Sequence, residues 1–460
     1  MTHTNRLLIR NADYIITMDA AERVLQHADI LIERNRIVQL GQNLPLPPQT
    51  REYSAAGRIV IPGMVNVHQH CSHTIVRNLP HTFEGGLMDT LKLFYAGLAY
   101  FDEGSVRAAA FGSLADLLKT GCTTTCDMHY VFPAAAKNAI DWELETAAQL
   151  GIRMHVLRGS LTTSAAEGCW HVPQSLVESP DTIARDCVRV IERYHDRSFG
   201  AMTRVGIAPC WLLYEDPTAL RVCQELSETY HVPLHSHLAD SRDEFTYAKE
   251  RYGCTPVEYA DRIGYLHPGN FYAHCIQLTK SDFAKLAKNE VGIACCSNSD
   301  MILNTGVTKV PECWRRGIRV GIGVDGAASD NASNMIGELK STYLCQRFFG
   351  KETGLTPQRI LRLATVGGAE VLGRTDIGYL APGMMADLVL LDWDQIQYAG
   401  GKYDPIYAAV LSGDARMVDT VFVNGRMVVE HGHLKTVDEA QANTYINQET
   451  ARMVARWQGV

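Results

Sequence analysis

Eight short apolar runs, separated by stretches of helical pattern, constrain this 460-residue chain more than any other feature. The runs are IVIPGMVNV (59–67), TTTCDMH (123–129), RMHVLRG (153–159), RVGIAPC (204–210), VPLHSHL (232–238), FYAHCI (271–276), VGIACC (291–296) and RVGIGVDG (319–326). Between them lie segments such as AAAKNAIDWELETAAQLG (134–151) and IARDCVRVIERYH (183–195), whose apolar residues recur at helical spacing. Short runs alternating with helices predict parallel strands with helical crossovers. Eight of them predict an α/β fold, a TIM-type (β/α)8 barrel with its chemistry at the C-terminal strand ends.

The two chain ends read differently. Residues 7–18 and 28–41 form short strand patterns, followed by the Pro-rich LPLPPQ (44–49). The pattern returns in ADLVLLDW (386–393) and TVFVNGRMVVEHG (420–432), where Asn424-Gly425 between apolar runs signals a tight hairpin. The expected organisation is a small β-sandwich domain built from both ends (1–57 and 377–460, with a C-terminal helix over 437–457) around a catalytic barrel (58–376).

A net charge of −8 disfavours nucleic acid and anionic membrane as partners, since both need a basic face. No apolar run has membrane-spanning length, and the N-terminus lacks the apolar core of a signal peptide. Thirteen cysteines with no C-x-x-C pair read as reduced thiols of a cytoplasmic protein rather than a disulfide framework.

Metal-competent side chains gather at the strand ends. His68 and His70 end the first run, two residues apart, and so point the same way from a strand. His235 and His237 close the fifth, His274 sits in the sixth, and Asp325 ends the eighth. Imidazole nitrogens with one carboxylate suit Zn2+ or Fe2+ with an open position for water. A lone H-x-H carries little weight, and His431-Gly432-His433 reads as a solvated hairpin end. The set carries weight because its members share one end of the expected barrel.

With these residues in view, the chain resembles the amidohydrolase superfamily, in its mononuclear cytosine/guanine deaminase-like branch. The resemblance implies that His68, His70, His237 and Asp325 ligate one divalent metal, zinc first and iron second. It makes Asp325 also a base, and His274 a neighbour of the attacking water. Binuclear members carry a bridging lysine at the end of strand four, and RVGIAPCW (204–211) has none. Two positions depart from the branch. Its usual H-x-x-E is His237-Leu238-Ala239-Asp240, so a shorter carboxylate stands where the proton shuttle belongs. Its seventh-strand H-C-P-x-S-N becomes ACCSNSDM (294–301), with Cys295 in place of histidine and Asp300 in place of asparagine. Within the branch, HTIVRNLP (73–80), RGSLTTSAAEG (158–168), RYHDRSFGAM (193–202) and DGAASDNASNM (325–335) resemble 8-oxoguanine deaminases and triazine hydrolases of the atrazine pathways.

The expected activity is a C–N hydrolase deaminating a free aromatic N-heterocycle, an 8-oxoguanine-like purine or pteridine. The alternatives are a triazine hydrolase releasing alkylamine or chloride, and a metal-binding protein without turnover. The expected catalytic residues are Asp240, His274 and Asp325. The competing reading of Asp240 is a cap for the following segment. Arg77, Arg158, Trp170, Gln174, Trp211 and Asp300 are the candidate substrate contacts. The expected partner is a small heterocycle, and the expected assembly a homo-oligomer.

Overall fold

The run 59–67 is two strands rather than one. In the computed structural model, which describes residues 6–80, 84, 86–167, 172–350 and 354–459, Arg58–Pro62 and Met64–His70 belong to different sheets. The chain passes from one to the other at Gly63. A Cβ there would stand 2.1 Å from Thr123 Oγ1, so only glycine allows this close crossing.

The parallel strands are β1 (Met64–His70), β2 (Cys122–His129), β3 (Arg153–Ser160), β4 (Thr203–Pro209), β5 (His235–Leu238), β6 (Phe271–His274), β7 (Gly292–Cys295) and β8 (Arg319–Ile322). Each coincides with one of the eight apolar runs. β1 to β4 pair in order, as do β5 to β8. Past β8 the chain resumes as the short strand Asp325–Gly326, which pairs in parallel with Gln69 and His70 of β1. A parallel bridge, Ile207 to Leu234, joins β4 to the residue before β5.

Helices fill the connections, including Glu103–Lys119, Ala139–Leu150, Pro180–Tyr194, Pro217–Tyr230 and Lys280–Lys288. Their starts follow local chemistry. The side chains of Ser179, Asp216 and Thr279 accept hydrogen bonds from first-turn N–H groups, and proline follows Ser179 and Asp216.

Both chain ends join one nine-stranded sheet, in the order 433–434, 426–430, 418–423, 388–392, 58–62, 6–16, 24–33 and 36–41, with 50–54 also beside 6–16. Alternation along these strands divides their side chains between two cores. Ile59, Ile61, Val389 and Leu391 pack into the main core with the parallel strands. Val60, Leu388 and Leu390 pack with Leu7, Ile9, Ile30, Ile32 and Phe422 in a second core. The predicted hairpin spans Val418–Val423 and Arg426–Glu430, with Asn424 and Gly425 both at positive φ (53° and 74°), the signature of a type I′ turn. The last helix is Glu439–Gln458. Every cysteine among the described residues is buried, and no disulfide forms among them. Among those residues no helix is long and apolar enough to cross a membrane.

Candidate metal centre and active site

The strand ends bring His68, His70, His237, His274 and Asp325 together, each nearly fully buried. Neutral imidazole carries one N–H and one lone pair, so the partner of one nitrogen fixes the role of the other. His70 Nδ1 lies 2.9 Å from the Met128 carbonyl and must donate to it. His237 Nδ1 lies 2.9 Å from the Cys210 carbonyl and does the same. His235 Nδ1 donates to the Phe271 carbonyl, so its Nε2 accepts from His68 Nδ1 at 2.9 Å.

All three Nε2 atoms therefore present lone pairs to one point. His68 Nε2 is buried with no hydrogen-bond partner among the described residues. His70 Nε2 and His237 Nε2 face each other across 3.1 Å. Asp325 Oδ1 is 3.4 Å from both His68 Nε2 and His70 Nε2. Three lone pairs and a carboxylate repel one another unless a cation lies between them. Tetrahedral zinc with Zn–N bonds of 2.0–2.1 Å holds its ligand nitrogens about 3.3 Å apart, close to the spacing found. Burial also keeps His68 and His237 well below the usual histidine pKa, in the neutral form a metal requires. The residues present fit a divalent metal.

Holding these side chains strains the backbone. Ala239, His274, Cys275 and Asp325 all adopt positive φ (53°, 71°, 50° and 59°), which is costly for side chains with a Cβ. The strain falls at the ends of β5, β6 and β8, where the ligands are turned inward. Ser299 and Ser329 hydroxyls hold Asp325 by donating to its Oδ2, leaving Oδ1 for the centre.

Asp240 also lines the centre. It is 3% exposed, and its Oδ1 has no hydrogen-bond partner among the described residues. It does not cap the next helix, Arg242–Tyr252, because Ser241 does. Glu244 instead anchors the segment, accepting from the Ala239 and Asp240 N–H groups at 3.1 and 2.7 Å. Burial raises the Asp240 pKa. His274 Nδ1 lies 2.8 Å from Asp300 and 3.9 Å from Asp240. Burial opposes charge on His274, but Asp240, Asp300 and Asp325 outweigh it and lift its pKa to about 10.

Trp211 is at the site, its ring stacked on His237 at 4.5 Å. The other described candidates do not line the cavity. Arg158 is buried in ion pairs with Glu178 and Asp186, over the Phe132 ring. It faces the helix layer because successive strand residues point to opposite sides. Asp300 reaches the site only through His274 and does not line the cavity. Arg77 and Gln174 are exposed. Trp170 lies outside the described residues.

The cavity over the centre measures about 30 Å³, room for one or two waters. Leu87, Leu91, Phe94 and Tyr95 of the helix Leu87–Leu98 roof it, with Leu303. A bicyclic ring needs this roof to move. His73 and Tyr130, hydrogen-bonded to each other at 2.9 Å, line it too. Sequence reasoning missed both, although His73 opens a segment singled out above and Tyr130 follows the end of β2. His235 was noticed only as a member of its strand.

Residues 59–428 match the amidohydrolase family, and the chain belongs to it. It is similar to 8-oxoguanine deaminase of Pseudomonas aeruginosa, 36% identical over 95% of this chain and 96% of that one. It is 32% identical to hydroxydechloroatrazine ethylaminohydrolase of Pseudomonas sp. strain ADP, over 93% of this chain and 91% of that one. Among solved structures, zinc-bound atrazine chlorohydrolase from Arthrobacter aurescens TC1 superimposes with a TM-score of 0.91 at 29% identity, covering 96% of this chain and all of that one. The protein is a hydrolase acting on C–N bonds of cyclic amidines.

Proposed function

We propose that the protein deaminates a free aminated N-heterocycle, an 8-oxoguanine-like purine or pteridine first, with one zinc ion per chain. The observation that carries this reading is the convergence of three histidine lone pairs on Asp325, with Asp240 beside them facing His274. Likeness to an 8-oxoguanine deaminase across nearly the whole chain supports the substrate class. The same reading takes the two parallel sheets as one closed barrel over 58–376, and the terminal sheet as a sandwich over 1–57 and 377–460.

His68, His70, His237 and Asp325 would hold the metal. Bound there, it supplies an activated water at neutral pH. Asp325 accepts the remaining proton of that water. His274, steadied by Asp300, donates a hydrogen bond to the attacking oxygen and orients it. Asp240 delivers a proton to the ring nitrogen beside the attacked carbon. Collapse expels the amine, which leaves protonated as ammonia, and the ring keeps a carbonyl oxygen. Trp211 offers an aromatic face beside His237 for a planar ring.

Zinc-loaded protein assayed by ultraviolet absorbance with ammonia coupling tests the reading. The panel is guanine, 8-oxoguanine, isoxanthopterin, cytosine, ammeline and hydroxyatrazine. Ammonia from an oxopurine or pterin is expected. Ethylamine from hydroxyatrazine as the fastest reaction would favour the triazine reading, in keeping with the ethylaminohydrolase likeness. No turnover of any panel member would overturn both.

A further inference from the structure

A second, larger cavity lies at the opposite end of the parallel strands from the metal centre. It is an open cleft of about 560 Å³ along the starts of β3, β4 and β6 and the segment leading into β5. Among its nitrogen-bearing side chains, Arg204, His155 and His195 have donors to spare.

Arg204 makes one hydrogen bond, from Nη1 to the Gly373 carbonyl at 3.1 Å. No carboxylate lies within ion-pair distance of it among the described residues, and its Nε is buried without a partner. Burial and then Arg374 pull its pKa down to about 10, with Asp376 and Asp196 opposing. Neither carboxylate pairs with it directly, and Asp376 is already paired with Arg374.

The histidines are fixed by their neighbours. Arg374 Nη1 donates to His155 Nε2 at 3.3 Å, so the His155 proton must sit on Nδ1. The Val205 backbone N–H donates to His195 Nδ1 at 2.9 Å, so the His195 proton must sit on Nε2. Neither of these N–H groups has an acceptor among the described residues. His155 and Arg204 are register partners on adjacent strands, and Val205 is the next residue, so the three donors are neighbours. Several other polar groups of the cleft are already engaged. Ser227 donates to the Val232 carbonyl, Asn270 bridges Leu234 and Tyr265, and Gln224 is bound to Glu228.

A guanidinium fork beside two imidazole N–H donors, with no acceptor among them, matches an oxyanion with several acceptor oxygens. Leu157, Val232, Leu234 and Phe271 add apolar wall, enough for an organic group behind the anion. We propose that this cleft is a second binding site, for a phosphate-type oxyanion, free or carried by a small ester, separate from the metal centre.

The test uses zinc-loaded full-length protein, with inorganic phosphate and guanosine 5′-monophosphate as probes in titration calorimetry and ³¹P line-broadening. Saturable binding is expected, retained in Asp325→Asn and weakened at least about tenfold in Arg204→Gln and His195→Phe. Deaminase turnover in Arg204→Gln should stay at the wild-type level. If Arg204→Gln does not fold, Arg204→Lys, which keeps the charge but loses the fork, replaces it and should weaken binding in the same direction. Binding of the ester alone, or of both probes, identifies the source of the phosphate and supports the site. No saturable binding of either probe, binding indifferent to the Arg204 and His195 changes, or binding lost in Asp325→Asn would overturn it.

Discussion

Asp240 is one methylene shorter than the glutamate its branch of the family uses at this position, yet it lies at the metal centre. Its Oδ1 makes no hydrogen bond among the described residues and faces His274, while the backbone around it is pinned by Glu244. A residue that served only to cap a helix would have its oxygen on an N–H group, and Ser241 already does that. Asp240→Ala should therefore cut kcat by at least about a hundredfold with metal content unchanged. A loss of about 1 kcal/mol in stability with kcat intact would return it to a structural role. Asp240→Glu separates two pockets: restored or improved turnover means the site still accepts the longer acid, and failure means it is built around the shorter one. His235 acts one step further out. By accepting from His68 Nδ1 it forces the lone pair onto Nε2. His235→Ala should weaken metal affinity about 10–100-fold, read by competition against a chromophoric chelator. Unchanged affinity would mean that packing alone orients His68.

At the level of elements, much was legible because the signals were local. The eight runs became strands since each is short, apolar and bounded, and H-x-H projected two ligands because strand side chains alternate. The hairpin at Asn424-Gly425 was legible because few other dipeptides accept positive φ twice in succession. The roof helix Leu87–Leu98 and the burial of Arg158 were not, because both depend on packing. An arginine at a strand end serves pocket or helix layer according to a one-residue change of parity, which the short run around it does not fix. Arg58–Pro62 was read with the strand after it because nothing local separates Gly63 as a crossing from Gly63 as a bulge. The hairpin also yields a comparison. A Cβ on Gly425 would stand 2.4 Å from the Arg34 carbonyl, whereas one on Gly432, also at positive φ, meets only the Val418 carbonyl at 3.8 Å. Gly432→Ala should cost about 1–2 kcal/mol, the left-handed penalty alone. Gly425→Ala should cost more, with a larger fall in Tm. Equal losses would mean that the turn relaxes away from Arg34.

For the whole molecule, one buried ion pair joins the terminal sheet to the parallel strands, and a second fastens the segment 374–376 to the residues around β3 and β4. Arg153, at the start of β3, pairs with Asp387 at 2.9 Å, and Asp387 also accepts from the Asn424 N–H of the hairpin. Arg374 pairs with Asp376 at 2.7 Å, and Asp376 accepts from the Gly200 N–H at 2.7 Å. All four side chains are at most 2% exposed. Burial pushes the Asp376 carboxyl up, but the Arg374 guanidinium and the Gly200 N–H outweigh it and hold its pKa below the usual value of 3.8. A depressed carboxylate pKa stabilises the fold above the unfolded value, and that contribution drains as pH falls through the folded value. The contribution of Asp376 should therefore be constant from pH 7 to about 5 and should fall away below about 4. Asp376→Asn leaves Arg374 buried without its counter-charge and should cost about 3–5 kcal/mol at pH 7. Acid releases the metal from wild type and variant alike, so the informative quantity is the gap between them. Thermal unfolding of both proteins, metal-loaded at pH 7 and followed stepwise to pH 3.5, should show a wide gap that narrows below about pH 4, where Asp376 of the unfolded chain takes up the proton before that of the folded one. A gap that stays constant through that range would mean that folding does not depress the Asp376 pKa. A gap that is small at pH 7 would mean that the segment 374–376 is held by its backbone contacts and apolar packing rather than by this ion pair.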